Sequence, residues 1–305
     1  MKIHHLKNNE IDKKKWDRTI LSSPNGNLYG FSWYLDIVSP DWEALVSDNY
    51  EVLFPLTIKK YLTFKTLRQP LFAQQLGIFV QNLSYFEFLP EIFKYIFNKY
   101  SYININFNKL VPFDNFSFNK NVRLIQKINY ELDLISSYKT LYKHFNENTK
   151  RNIKKSKRED IYVKIDGIRQ ETFLNFLRSS LEETTEINKL SNTKLKKIAS
   201  IISYTQKQKI SKIYSVHRLN GSLLSVAAFI YSHNKAYYLF AASNLLGKEY
   251  SSMFMLIDEF IKNHAERNLT LDFEGSMIPN LARFYKGFGS KETFYVNLKY
   301  KKSII

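Results

Sequence analysis

The pattern of hydrophobic and polar positions in the second half of the chain predicts a group of β-strands, the last of which alternates. The Asn220-Gly221 pair is a strong hairpin turn between the first two of them. Apolar residues then recur at helical spacing over residues 251–267, and a last short strand follows. The predicted strands are 212–219, 223–231, 236–242 and 269–273. The order is therefore strand, hairpin, strand, helix, strand.

The first half of the chain repeats this order, which indicates an internal duplication. A helix is predicted at residues 86–100, and strict alternation marks the strand after it. The predicted strands are 42–46, 50–58, 69–80 and 102–107. We predict an α/β (α+β) fold with two domains, 1–133 and 134–305, which meet near residues 130–137. Each domain is expected to be a mixed, mostly antiparallel twisted sheet flanked by helices.

A single helix is predicted from Ser137 to about Arg158, with a division into two faces. The apolar stripe contains Tyr138, Leu141, Tyr142, Phe145, Thr149 and Ile153. The other side carries Lys139, Lys143, Lys150, Arg151, Lys154, Lys155, Lys157 and Arg158. Two interpretations are open: a solvated face of a core helix, or a surface within 139–158 that contacts tRNA or an anionic precursor.

Composition limits the classes of function. The chain has 305 residues, a net charge of +17 and no cysteine, which excludes disulfides, thiolate metal sites and a cysteine nucleophile. The histidines are not spaced as metal ligands, and no metal site is predicted. Neither a signal peptide nor a transmembrane segment is evident in the sequence, so a cytoplasmic protein is expected.

The segment from Ala241 to Ser251 joins a predicted strand to a predicted helix. Backbone amides and the partial positive charge at such a junction can bind a pyrophosphate. Gly247 and Lys248 suit that role, and Ser251 can cap the helix. Phosphate binding and simple capping are both compatible with this pattern.

Two carboxylates, Asp272 and Glu274, are predicted on the same side of the last strand, before Gly275. Carboxylates at the end of a strand usually stand at the rim of a sheet, where ligands bind. An aromatic and basic turn, RFYKGFG, follows at residues 283–289. The alternative is a satisfied structural pair that bonds to Arg283 or to backbone amides.

These segments carry a family resemblance. LDFEGS (residues 271–276) with RFYKGFG resembles the C-terminal signature of the Fem-type acyltransferases, a branch of the GNAT superfamily built from two GNAT-like domains. NTKRNIKK (residues 148–155) resembles the basic helix of the same group. The strand and helix order given above is that of a GNAT domain. The resemblance covers the chain from about residue 138 to the C-terminus.

The resemblance implies transfer of an acyl group to a small-molecule or peptide amine, with acyl-CoA (acetyl-CoA) as co-substrate. It implies donor binding by Leu239, Phe240, Ala241, Ala242, Asn244, Gly247, Lys248 and Ser251, with backbone amides of a splayed strand polarising the carbonyl. Asp272 or Glu274 would act as base or hold the amine. Tyr285 or Lys286 would donate a proton or hold an anion.

The sequence also departs from the family pattern. The 241–251 segment lacks the second glycine of a coenzyme A loop, and Tyr285 stands where Fem-type enzymes have a lysine. Aminoacyl-tRNA as the donor, and a non-catalytic module that binds an anionic ligand, are therefore alternatives.

Four residues of the first half are candidates for binding the acceptor. The resemblance implies a groove between the domains, and Trp33, Tyr34, Gln74 and Gln75 are expected to line it. Gln74 and Gln75 adjoin on a predicted apolar strand, so one of them must face inward and find a partner. A structural hydrogen-bond network is the alternative interpretation.

Overall fold

The computed structural model describes residues 2–61, 64–158, 160–184, 190–275 and 277–302. Ser276, the last residue of the LDFEGS segment, lies outside these ranges. Contacts divide the chain into two compact units. Met1–Ile128 and Thr293–Ile305 form the first unit, and Asn129–Glu292 form the second. The domains 1–133 and 134–305 stay a prediction.

The first unit combines short strands with three α-helices among its described residues. Its elements are β1 (Ile3–Leu6), α1 (Lys13–Ser22), α2 (Ser32–Val38), β2 (Glu43–Ser47), β3 (Val52–Leu56), β4 (Ile58–Tyr61), β5 (Phe64–Arg68), β6 (Phe79–Val80), α3 (Leu89–Lys99) and β7 (Tyr102–Phe107). Short 3₁₀ helices occur at Asn8–Glu10, Leu28–Gly30, Leu83–Phe88 and Phe113–Asn115.

The strand β8 (Val122–Asp133) leads along the chain into the second unit. The elements of that unit are α4 (Tyr138–Lys143), α5 (Glu147–Ser156), β9 (Ile161–Ile165), α6 (Gln170–Thr184), α7 (Asn192–Lys207), β10 (Ser211–Arg218), β11 (Leu223–Ser232), β12 (Lys235–Ser243), α8 (Leu245–Glu249), α9 (Ser252–His264), β13 (Thr270–Asp272) and α10 (Pro279–Gly287). The last strand, β14 (Lys291–Lys301), returns the chain to the first unit.

Two sets of strands organise the first unit. The strands β1, β2, β3 and β6 form an antiparallel sheet in that order. In the second set, β4, β5, β7 and β14 lie side by side, with β5 and β7 parallel and the other pairs antiparallel. On β7 the residues Ile103, Ile105 and Phe107 are buried, which confirms the strand predicted from strict alternation.

The strand predicted over residues 69–80 is wrong for most of its length, because among the described residues only Phe79–Val80 form a strand, with an isolated bridge between Leu76 and Phe107. Phe72 and Gly77 have positive φ values of 67° and 89°, which a strand does not accommodate. The Gln69 side chain donates to the Ala73 carbonyl and accepts from the Asn106 amide, so it holds this segment as a loop. The apolar residues of this segment therefore did not predict its backbone conformation.

The sheet of the second unit follows the order β8, β13, β12, β11, β10, β9. The pair β12 and β13 is parallel, and its neighbours pair antiparallel. The helix α9 packs on this sheet, where Phe260 stacks on Phe229 with ring centroids 3.8 Å apart. The mixed, mostly antiparallel sheet flanked by helices confirms the predicted fold class.

The single helix predicted over 137–158 is wrong in one respect, because two helices, α4 and α5, occupy this stretch. The break follows Phe145, where the Asn146 side chain accepts from the Thr149 amide and caps α5. The Asn146 amide itself donates to the Gly287 carbonyl, so a distant contact fixes the break.

None of the helices in the described ranges is both long enough and apolar enough to span a bilayer.

Candidate functional site

An opening in the second unit lies where two neighbouring strands part. The strand β12 pairs with β13 only along Lys235–Tyr237, since β13 ends at Asp272. Beyond that point none of the described strands covers this edge of β12. On the opposite edge the register with β11 shifts between Ala228 and Phe229, which leaves Leu239 as the extra residue of a β-bulge.

A cavity of about 480 Å³ occupies this opening. It is lined by the second part of β12, the segment 244–251, the start of α9 and the helix α10. Six residues predicted from the sequence line it: Ala241, Ala242, Gly247, Lys248, Ser251 and Tyr285. The predicted residues Leu239, Phe240 and Asn244 belong to the same strand and segment but lie outside the lining.

The segment 244–251 is held by its own side chains. The Asn244 side chain accepts from the Gly247 amide and begins the short helix α8, which the sequence analysis missed. A Cβ atom at Gly247 would lie 2.2 Å from the Leu224 carbonyl oxygen, so close packing requires glycine here. Ser251 has φ +56° and makes no side-chain cap, so its predicted capping role is wrong. Its hydroxyl instead donates to Asn152 on α5.

Asp272 is buried within an ion-pair network. Its carboxylate lies 2.9 Å from Lys235 Nζ and also accepts from the Asn129 amide. Lys235 Nζ lies 2.5 Å from Glu131 as well. Burial alone lowers the pKa of Lys235, but the neighbouring acids outweigh it and raise that pKa. These contacts match the alternative of a satisfied structural carboxylate.

Glu274 lies beyond the end of β13, so the expectation that it shares a strand face with Asp272 is wrong. Its φ is +64°, a conformation uncommon for a non-glycine residue, and its amide donates to Asp272. The Oε1 atom is shielded from solvent and has no hydrogen-bond partner among the described residues. Burial raises the pKa of this carboxyl to about 8.

The RFYKGFG segment is mostly helix rather than the predicted turn, since α10 extends through Gly287. Tyr285 is buried, and its ring lies 4.9 Å from that of Phe273. Burial, with a smaller contribution from Glu274, raises the Tyr285 pKa well above its ordinary value. Lys286 is exposed and pairs with Glu292 at 2.6 Å, outside the cavity lining.

Gly287, within the RFYKGFG segment, packs closely against α5, and this contact gives a prediction. A Cβ at Gly287 would lie 2.2 Å from Thr149 Oγ1 on α5. We expect Gly287→Ala to lower the free energy of unfolding by about 1–3 kcal/mol, measured by urea titration, because the contact has no spare volume. Thr149→Ala removes the clashing oxygen, so the double variant should recover part of the loss. Strictly additive losses would contradict this explanation.

The basic face of α5 adjoins the cavity through two hydrogen bonds. Lys155 Nζ donates to the Glu249 carbonyl, and Asn152 accepts from Ser251. Two of the predicted cations are engaged elsewhere, since Lys150 pairs with Glu147 and Lys157 with Asp258.

The four candidates for acceptor binding lie in the first unit. Tyr34 is fully buried, and its hydroxyl donates to the Phe72 carbonyl. Trp33 packs on the Tyr34 ring at 5.2 Å. Gln75, also buried, donates to the Gln74 side chain at 2.8 Å. The structural network that the sequence analysis left open as an alternative describes these contacts.

Sequence reasoning missed Lys235 and Glu131. Glu131 is 104 positions from Lys235, so only the β8, β13 and β12 register brings them together. It also missed Ser243, a residue that lines the cavity. His264 is buried and bonds to Tyr231 and to the Phe260 carbonyl.

Comparison with known proteins identifies the fold. FemX matches with a TM-score of 0.67 and 15% identity, over 97% of each chain. The L-PGS from Bacillus licheniformis gives a TM-score of 0.58 at 13% identity, over 96% of this chain and 93% of that one. A GNAT-family acetyltransferase from Colwellia psychrerythraea gives 0.53 at 11%, over 99% and 100%. No protein-family model and no curated protein sequence matches the chain.

The chain therefore has the fold of Fem-type and GNAT proteins, and the predicted resemblance is confirmed at that level. Likeness at these identities concerns the fold, so activity has to be argued from the cavity and its residues.

Proposed function

We propose that this protein is an N-acyltransferase that moves an acyl group, preferably acetyl, from coenzyme A to a small-molecule or peptide amine. The observation that carries the proposal is the cavity at the parted strands, where the segment 244–251 and Tyr285 line one space. The early end of β13 supports it, because none of the described strands covers that edge of β12 past Tyr237.

The chemistry requires a free amine, a polarised carbonyl and a protonated leaving group. The amine nitrogen attacks the thioester carbon. Its proton passes to Glu274, which lies outside the cavity lining but near enough to affect the pKa of Tyr285, and which is ionised above about pH 8. Backbone groups of the cavity-lining part of β12 stabilise the oxyanion. When the C–S bond breaks, the thiolate takes a proton from Tyr285, which lines the cavity. Lys248, in the lining, and Lys155 near it suit the anionic part of the donor.

A cavity-blocking variant tests this proposal. Ala241 lines the cavity on β12, and Ala241→Phe is expected to abolish the thermal shift that acetyl-CoA produces in the wild type. Thiol release with amine acceptors should be lost in parallel. Ala265→Phe is the matched control, since Ala265 is half-buried in the same unit but outside the lining. A wild type that acetyl-CoA neither stabilises nor reacts with would contradict the proposal and favour aminoacyl-tRNA.

A second candidate function, binding of an anionic polymer, is favoured by a cationic cavity in the first unit. This cavity measures about 630 Å³, and five basic residues line it without any acidic one: Lys120, Arg123, Lys299, Lys301 and Lys302. None of the five forms an ion pair with a residue in the described ranges.

Salt dependence separates the second candidate from the first. Single-stranded RNA should bind the wild type more weakly as salt rises. The triple variant Arg123→Ser, Lys299→Ser, Lys301→Ser should reduce the slope of log K against log salt by about 2, since each lost phosphate contact on a single strand contributes about 0.7. The comparison variant changes Arg151, Lys154 and Lys155 of α5 to Ser. If neither triple variant alters RNA binding, this second function is wrong.

A further inference from the structure

Three serine hydroxyls form a chain between the core and the cavity of the second unit. Ser243, which lines the cavity, lies 2.6 Å from Ser225, oxygen to oxygen. Ser225 lies 2.5 Å from Ser252, and Ser252 donates to the Gly247 carbonyl at 2.9 Å. Ser225 and Ser252 are fully buried, so water does not supply other partners.

The Gly247 carbonyl at one end determines which serine donates and which accepts in each of these hydrogen bonds. A carbonyl only accepts, so the single hydroxyl hydrogen of Ser252 is used at Gly247. Ser225 must then donate to Ser252, and Ser243 must donate to Ser225. The hydrogen of Ser243 therefore points inward, and Ser243 offers only its lone pairs to the cavity.

We propose that Ser243 is a hydrogen-bond-accepting subsite that selects an amide N–H in the arm of the acyl donor. This inference rests on the proposed function, because the pantetheine arm of coenzyme A contains two secondary amides. A phosphate or carboxylate oxygen at the same place meets lone pairs with no hydrogen and is rejected. The subsite therefore accepts a donor group and rejects an acceptor group, because the Ser243 hydrogen points away from the cavity.

The charges around the cavity agree with this division of the donor. Lys248 lines the cavity, and Lys155 bonds to the carbonyl of Glu249 in the same segment. The anionic end of a donor is attracted to these cations, whereas Ser243 accepts from a neutral amide. Cations and an acceptor-only hydroxyl together orient an elongated donor that has one anionic end.

Replacing an amide by an ester tests the subsite. Acetyl-CoA and its two analogues, each with one amide N–H replaced by an ester oxygen, are titrated calorimetrically. One analogue should bind the wild type about threefold to tenfold more weakly than acetyl-CoA, because it loses one hydrogen bond. Ser243→Ala should bind that analogue and acetyl-CoA equally well, and Ser243→Thr should restore the discrimination.

A second variant tests the donor-to-acceptor direction of the hydrogen bonds among the three serines. In Ser252→Ala, Ser225 loses its acceptor and can donate to Ser243, whose own hydrogen is then free to enter the cavity. This variant should keep the wild-type circular dichroism and lose the discrimination between amide and ester. If wild-type protein binds acetyl-CoA but Ser243→Ala discriminates equally, the subsite is wrong and the proposed function survives. If wild-type protein binds no coenzyme A derivative, both fail.

Discussion

Replacing Glu274 by glutamine should lower kcat at least about 100-fold, the usual contribution of a general base. The carboxyl has a pKa of about 8 because it is buried, so it is a competent base only above that pH. The wild-type rate should therefore rise through about pH 8 and then level. Steady-state thiol release, measured with a saturating amine across this pH range, gives both the change in kcat and the pH dependence of the wild-type rate.

The same substitution should stabilise the protein at alkaline pH. Glu274 keeps its proton in the folded state up to about pH 8, whereas an unfolded glutamate releases it near pH 4.3. The favourable contribution is thus present at low pH and is lost as pH rises through the folded pKa. Glu274→Gln carries no charge, so its melting temperature should exceed that of the wild type at pH 9 and approach it at pH 5.

A matched control for this experiment is Glu266→Gln. Glu266 has a similar φ of +62° but is exposed, so neither activity nor the pH dependence of stability should change. A kcat of Glu274→Gln within twofold of the wild type would show that Glu274 is not the base.

Replacing Lys235 by methionine should lower the free energy of unfolding at pH 7 by about 3–5 kcal/mol. Lys235 contacts both Asp272 and Glu131, and these acids are 2% and 11% exposed. Without the cation, these two shielded carboxylates lose the partner that they share. Urea titration at pH 7 measures the loss.

The control for Lys235→Met is Lys212→Met. Lys212 pairs with Asp166 at 2.7 Å in the same unit, but both side chains are largely exposed, at 52% and 41%. A surface pair of this kind contributes about 1 kcal/mol or less. Equal losses in the two variants would mean that the buried network around Asp272 has no special role in stability.

Local patterns predicted the sheet of the second unit well, since the predicted strand 223–231 lies within β11 and the Asn220-Gly221 turn precedes it, with Gly221 at φ +87°. The division between α4 and α5 was missed because Asn146 looks like one more polar position of a helix. Its capping conformation depends on a bond to Gly287, which lies far along the chain. A pattern confined to neighbouring residues does not contain such contacts.

For the site, the sequence identified candidate residues on the strand and the loop, but it did not show which side chains are paired and which are shielded without a described partner. Ala241, Gly247 and Tyr285 line one cavity. Asp272 and Glu274 looked equivalent in sequence, yet one is paired with Lys235 and the other has a shielded oxygen without a described partner. That difference arises from a positive φ at Glu274 and from the register of β12 with β13.

The position of β14 has a consequence for synthesis on the ribosome. The first unit needs residues 293–305, whereas the second is a continuous stretch, 129–292. Since the chain emerges from its N-terminus, the second unit can complete its core first. Until β14 emerges, the edge of β7 that it pairs with stays uncovered, with free amides and carbonyls exposed to other nascent chains. The N-terminal unit is thus the last to finish folding.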